Sequence, residues 1–98
     1  MEKPYVIIRS ANSGVHAGYL ESVSGDTVTL TQSRRLWLWT VARMSGSLTS
    51  LSELAVYGLK SGDSRNRIAV ELPSIQIFGV CEVIPTSEQA KASICNER

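Results

Sequence analysis

Over most of the chain the hydrophobic positions recur with a period of two, and that pattern predicts strands. Tyr5-Val6-Ile7-Ile8-Arg9 is rich in β-branched and aromatic side chains and runs into Ser10-Ala11-Asn12-Ser13-Gly14, a turn composition. A second strand is expected from Val15 to Val23, with Gly18 marking a bulge or a close backbone approach. Ser24-Gly25-Asp26-Thr27 sets Gly-Asp between two strand-like runs, which predicts a two-residue turn with a positive φ at Gly25. Beyond it, Thr27-Val28-Thr29-Leu30-Thr31 alternates strictly, placing Val28 and Leu30 on a buried face and the threonines outside. Arg34-Arg35-Leu36-Trp37-Leu38-Trp39 continues in the same manner, with Leu36 and Leu38 on one face and Arg35, Trp37 and Trp39 on the other. Both faces are bulky, so this strand is expected to be covered on each side, by a helix or by another subunit. A helix beginning nearby is the competing assignment, and tryptophan favours the strand.

The second half of the chain mixes periods. Met44 to Ser50 contains Gly and Ser and reads as a loop. Ser50-Leu51-Ser52-Glu53 has the spacing of a capping box and predicts a helix over Leu51 to Tyr57 that buries Leu51, Leu54 and Ala55 or Val56. Gly58 stands where a left-handed residue ends such a helix. After the polar loop Lys60–Asn66, a strand is expected over Arg67–Leu72, with Ile68, Val70 and Leu72 on one side. Pro73-Ser74 interrupts it, and Ile75–Ile84 follows. Thr86 and Gln89 form a second capping-box pattern, opening a terminal helix through about Cys95 with Ala90, Ile94 and Cys95 along its apolar stripe. The fold class is α+β: a small, strongly bent antiparallel sheet or SH3-like partial barrel, with one inserted short helix and a C-terminal helix.

Length and charge narrow the classes. Ninety-eight residues predict a single domain spanning 1–98. Ten Lys and Arg against nine Asp and Glu leave a net charge of +1, too little for a nucleic-acid-binding face built on counterion release. No apolar run approaches the ~20 residues that span a bilayer, and Met1-Glu2-Lys3-Pro4 lacks the start of a signal peptide, so a cytoplasmic location is expected. Cys81 and Cys95, with one histidine, lack the spacing of a zinc site and are expected as small buried hydrophobes. No cofactor or metal is implied.

Several segments taken together resemble a family of small phage-encoded proteins of unknown function. The resemblance is carried by Tyr5-Val6-Ile7-Ile8-Arg9, by Ser13-Gly14-Val15-His16-Ala17-Gly18-Tyr19-Leu20 and by Ser33-Arg34-Arg35-Leu36-Trp37-Leu38-Trp39, with Leu51-Ser52-Glu53-Leu54-Ala55 and Glu82-Val83-Ile84-Pro85 in the same pattern. Its most specific part is the Arg-Arg-Leu-Trp-x-Trp run. It implies a phage or prophage origin in a bacterial host. Compact accessory proteins of phages often disarm host defences, by blocking a defence protein or by soaking up its nucleotide messenger. The segment from Ala17 to Leu30 is also similar to the bent hairpin of SH3-like and Sm-like small barrels, which bears on architecture alone.

The Arg-Trp segment is the most informative for chemistry. Arg34, Arg35 and Arg43 flank Trp37 and Trp39; guanidinium groups fork onto phosphate oxygens, and indole faces stack on nucleobases. Against this stands the ordinary role of tryptophan as a core anchor, expected for at least one of the two. Arg65 and Arg67 sit in a loop able to close over a pocket, and His16 lies beside a turn. His16 is the only base for a hydrolytic triad, the carboxylates are scattered, and there is no Walker loop or Gly-x-Gly-x-x-Gly, so catalysis is not expected. The leading expectation is non-enzymatic sequestration of a small phosphate-bearing ligand, such as a cyclic nucleotide, by Arg34, Arg35, Trp37, Trp39, Arg43, Arg65, Arg67 and His16. The alternatives are a protein–protein inhibitor of a host defence complex and a small-barrel nucleic-acid binder. A homo-oligomer is expected, because a thin supply of core aromatics and a strand apolar on both faces favour symmetric cover.

Overall fold

The computed structural model describes residues 3–41, 51–60, 63 and 66–97. Its elements are β1 (Tyr5–Ser10), β2 (Gly14–Ser24), β3 (Thr27–Leu38), α1 (Leu51–Tyr57), β4 (Arg67–Ile68), β5 (Leu72–Ile77), β6 (Val80–Pro85) and α2 (Glu88–Asn96). The strands form an open antiparallel sheet in the order β4-β3-β2-β1-β6, with β5 also paired to β3. The fold is α+β, with one short helix inserted and one at the C-terminal end, as the alternation and the capping signals predict. The expected loop over 44–50 and the capping contribution of Ser50 lie outside the described residues.

The long strands carry an extra residue at three places, and a bulge of this kind bends the strand that carries it. Between Leu20↔Leu30 and Ser22↔Thr29 the insertion is on β2; between Ala17↔Arg34 and Tyr19↔Thr31 it is on β3. At the second place Gln32 has a φ of 48°, and Gly18 faces the bulge so closely that a Cβ there would lie 3.0 Å from the Thr31 carbonyl oxygen. Gly18 therefore meets both of its expected roles, bulge and close approach. A third insertion, between Leu36↔Ile68 and Leu38↔Arg67, makes Trp37 the unmatched residue of β3.

These bulges change which side a residue faces. Val28 and Leu30 pack with Val6, Ile8 and Ile77 in one core cluster. After the Gln32 bulge, Leu36 instead joins Tyr5, Ile7, Ala17, Leu54, Ala55 and Ile94 on the opposite face, which the two helices cover. The Gly25-Asp26 turn has the expected positive φ, 61° at Gly25. α1 ends at Gly58, with a φ of 84°, where a Cβ would meet Ala90 Cα at 2.9 Å; glycine permits both the turn and the packing of α2.

Several expected boundaries move. Pro73 does not interrupt a strand but lies within β5, an edge strand, where a missing N–H is tolerated. The break falls at Phe78-Gly79, after which the chain leaves β3 and pairs with β1 as β6. The cap of α2 is Ser87, whose hydroxyl accepts from the Ala90 N–H at 3.1 Å; Thr86 instead donates to the Tyr5 carbonyl and Gln89 to that of Tyr57. Cys81 and Cys95 are free and exposed rather than buried.

Candidate functional site

Arg34 and Arg35 are adjacent on β3 and so point to opposite faces. Arg34 is buried on the helix-covered face. Its Nε donates to the Ala69 carbonyl at 2.8 Å, and its Nη1 donates to the carbonyls of Ile94, at 2.7 Å, and Glu97. α2 has no basic residue in its last turn, and Arg34 supplies that cation to the negative end of the helix from a strand. The expectation that Arg34 binds a ligand is thereby corrected: its guanidinium is committed to three backbone carbonyls.

Trp39 leaves the face of Arg35 and Trp37 for a related reason. The extra residue at Trp37 shifts the phase of the strand end, so that Trp39 turns to the side of Leu36 and packs, half-buried, on the helix-covered core. Trp37, the bulged residue, stays on the other face and is 69% exposed. Bulges of this kind re-aim a side chain out of the sheet. Arg43 and Arg65 lie outside the described residues.

The face that the helices leave bare, which also carries the Val6, Ile8, Val28, Leu30 and Ile77 cluster, gathers the remaining candidates. His16 of β2 is paired directly with Arg35 of β3, and both line a hollow of about 230 Å³ together with Ser33, Trp37, Ala69, Val70, Leu72 and Ile75. A second hollow of about 220 Å³ is lined by Trp37, Arg67, Ile68 and Ala69. Trp37 and Ala69 border both, so the two hollows adjoin at the indole, and the groove they make up has Arg35 in one part and Arg67 in the other. Each hollow alone is smaller than an ordinary ligand pocket of ~300–1,000 Å³. Among the described residues the Arg35 guanidinium makes no hydrogen bond or ion pair. Arg67 donates to the Asn66 carbonyl at 3.0 Å.

His16 is fully buried at the floor of this groove. Its ring nitrogen Nε2 lies 2.9 Å from the Ser13 carbonyl oxygen, which can only accept, so Nε2 carries the proton and Nδ1 is left as the acceptor of the neutral ring. Burial lowers its pKa from the usual histidine value, the Ser13 hydrogen bond opposes that shift, and the Arg35 cation adds to it. The ring is accordingly neutral at pH 7. Beside it Ser33 is 1% exposed, and its hydroxyl has no hydrogen-bond partner.

Ser33, Val70, Leu72 and Ile75 were not singled out by the sequence reading. The period-two rule does put Ser33 on the face of Arg35 and Trp37 once the run is extended back by two residues. Nothing local marks Val70 and Leu72: the strand expected over Arg67–Leu72 stops at Ile68, β5 begins at Leu72, and the two residues are 78% and 43% exposed. A larger hollow of about 510 Å³ on the helix side is lined by Arg9, Val15, Trp39, Leu51, Ser52, Glu82 and Ile84. Its one cation is neutralised by an Arg9–Glu82 ion pair of 3.0 Å, which makes it a poorer seat for an anion. Among the described residues no cluster of three or more His, Cys, Asp or Glu is placed to hold a metal ion, and no helix is long and apolar enough to cross a membrane.

The molecule is thus a small α+β domain with one face of its sheet sealed by helices and the other presenting an indole between two guanidinium groups. Residues 3–94 match the family described as a domain of unknown function, DUF6948, and the chain belongs to that family. No curated protein and no solved structure matches the chain.

Proposed function

We propose that this protein binds and sequesters a small phosphate-bearing ligand, such as a cyclic nucleotide, on its bare sheet face without transforming it. The observation that carries this reading is the pairing of an outward, 69% exposed Trp37 with an Arg35 guanidinium that has no partner among the described residues. An indole left in water presents a face on which a base stacks, for about 1–3 kcal/mol per base. Arg35 and Arg67, on either side of it, suit phosphate oxygens. Sequestration rather than turnover is supported by Ser33: its hydroxyl is not hydrogen-bonded to His16 or to any other base, so nothing activates it as a nucleophile. The biological setting we infer is that of a phage accessory protein, acting in the bacterial cytoplasm, that soaks up a nucleotide messenger of host defence. That setting rests on the resemblance carried by the Arg34–Trp39 run.

Isothermal titration with a panel of cyclic dinucleotides and cyclic ADP-ribose isomers tests this reading. Binding of at least one, abolished in Arg35→Ala and Trp37→Ala and retained in Trp39→Phe, supports it; uniform absence of binding discards it. A second reading is favoured by the exposure of Trp37, Leu38, Val70 and Leu72 near one another, an apolar patch that a protein surface would also cover. A second copy of the chain or a host defence protein is the partner in that case. Recovery of one dominant partner that is lost in Val70→Asp, together with a null titration panel, would select it.

A further inference from the structure

Resting on that ligand-binding reading, we infer that the two halves of the groove take different parts of the ligand: an uncharged nucleobase-type ring enters the half floored by Ser33 and His16, and the phosphate stays outside it, along Trp37 towards Arg67.

The two halves differ in what they offer. The Ser33 half is walled by Val70, Leu72, Ile75 and the Trp37 indole, apolar surface on which an uncharged ring packs and from which a phosphate gains no hydrogen bond. Its floor also suits a phosphate poorly. A phosphate has only acceptors, and so has the free nitrogen of a His16 ring whose Nε2 proton is already given to the Ser13 carbonyl. The edge of a nucleobase presents donors and acceptors side by side, which a hydroxyl, being both, can answer. Arg35 stands at the mouth of this half, directly across from His16, where it meets a ring carbonyl or the first phosphate oxygen. The other half, lined by Trp37, Arg67, Ile68 and Ala69, has a guanidinium and no buried acceptor side chain.

Ser33 is the residue that points most directly to a ligand. Its hydroxyl is sealed from solvent and bonded to nothing, an arrangement that costs stability and that alanine would avoid without loss of packing. Ser33 lines the hollow, so a ring seated there lies against it. Its place in β3, two residues before Arg35 and four before Trp37, puts it on the same face as the two groups that hold the rest of the ligand.

The test uses the full chain and five probes: adenosine, guanosine, cytidine and uridine 5′-monophosphates, and ribose 5-phosphate, which keeps the phosphate and lacks the base. Titration calorimetry is run on the wild type and on Ser33→Ala, which keeps the fold because the hydroxyl bonds to nothing. At least one nucleotide is expected to bind about tenfold or more tightly than ribose 5-phosphate. Ser33→Ala is expected to cut that ratio about fivefold while the ribose 5-phosphate affinity stays the same. If ribose 5-phosphate binds as tightly as every nucleotide, or if the ratio is unchanged in Ser33→Ala, the ring does not occupy this half, and phosphate capture stands without it. If no phosphate-bearing probe binds, this inference falls, and the panel of cyclic dinucleotides and cyclic ADP-ribose isomers decides the reading beneath it.

Discussion

Two arginines that are neighbours in the chain, Arg34 and Arg35, end in opposite circumstances. Arg34 is sealed under the helices and shared among the carbonyls of Ala69, Ile94 and Glu97. Arg35 stands exposed, its guanidinium without a partner among the described residues. Trp37 and Trp39 repeat the contrast two residues further on. One face of the sheet is finished by the fold, with its cation and its indole used in packing. The other face leaves the same two chemical groups unspent. What separates them is strand geometry: alternation sends the arginines apart, and the bulge at Trp37 sends the tryptophans apart. Arg34 is closed to a ligand because the chain has already given it three carbonyls to hold.

That contrast can be broken most forcefully at Arg34. Arg34→Ala leaves the end of α2 and the Ala69 carbonyl without their charged donor and is expected to cost roughly 3 kcal/mol, since each hydrogen bond to a charged group is worth about 1.5–3 kcal/mol. Arg35→Ala, on the bare face, should stay within about 0.5 kcal/mol of the wild type. Urea unfolding of both variants measures the difference, and equal costs would erase the distinction between the two faces. Next in size is the tryptophan pair. Trp39→Ala removes a half-buried indole from the helix-side core and is expected to cost about 2 kcal/mol, below the full-burial range for Trp→Ala. Trp37→Ala should change stability by less than about 0.5 kcal/mol.

Smaller effects sharpen the same comparison on the bare face. Ser33→Ala is expected to stabilise the protein by about 1 kcal/mol, because it deletes a buried hydroxyl with no partner; a clear loss of stability in the same denaturation series would mean that the hydroxyl is satisfied. The smallest effect is that of pH on His16. Its folded pKa lies below that of the unfolded chain, so on acidification the unfolded state takes up a proton first. The His16 contribution is therefore fully present above about pH 6.5 and is lost progressively as pH falls from there through the lower folded value. The urea midpoint should drop between pH 7.5 and 5, and His16→Asn should remove that part of the drop.

Much of the architecture was legible because it is written locally. The strict alternation of Val28 and Leu30, the Gly25-Asp26 turn, the extent of α1 and its stop at Gly58 each depend on a few adjacent residues, and each is found in the structure. The features that were missed depend on partners distant in the chain. Period-two counting places Trp39 with Trp37 unless the register against Arg67 and Ile68 is known, because a bulge exists only relative to the strand it fails to match. Pro73 was read as a break because the edge position of β5 that tolerates it is a property of the whole sheet. Arg34 looked like a ligand residue because the carbonyls that hold it lie 35, 60 and 63 positions away. Arg35 and Trp37 do share a groove, as the alternation of their run suggested, and Ser33 belongs to the same face by the same rule.

The two indole N–H resonances offer the most direct test of the division between the faces, for the chain has one tryptophan on each. In a ¹H–¹⁵N correlation spectrum recorded during titration with a phosphate-bearing nucleotide, the Trp37 indole signal should shift and saturate while the Trp39 signal stays in place. Movement of Trp39 with Trp37 unaffected would put the ligand on the helix side and contradict the account.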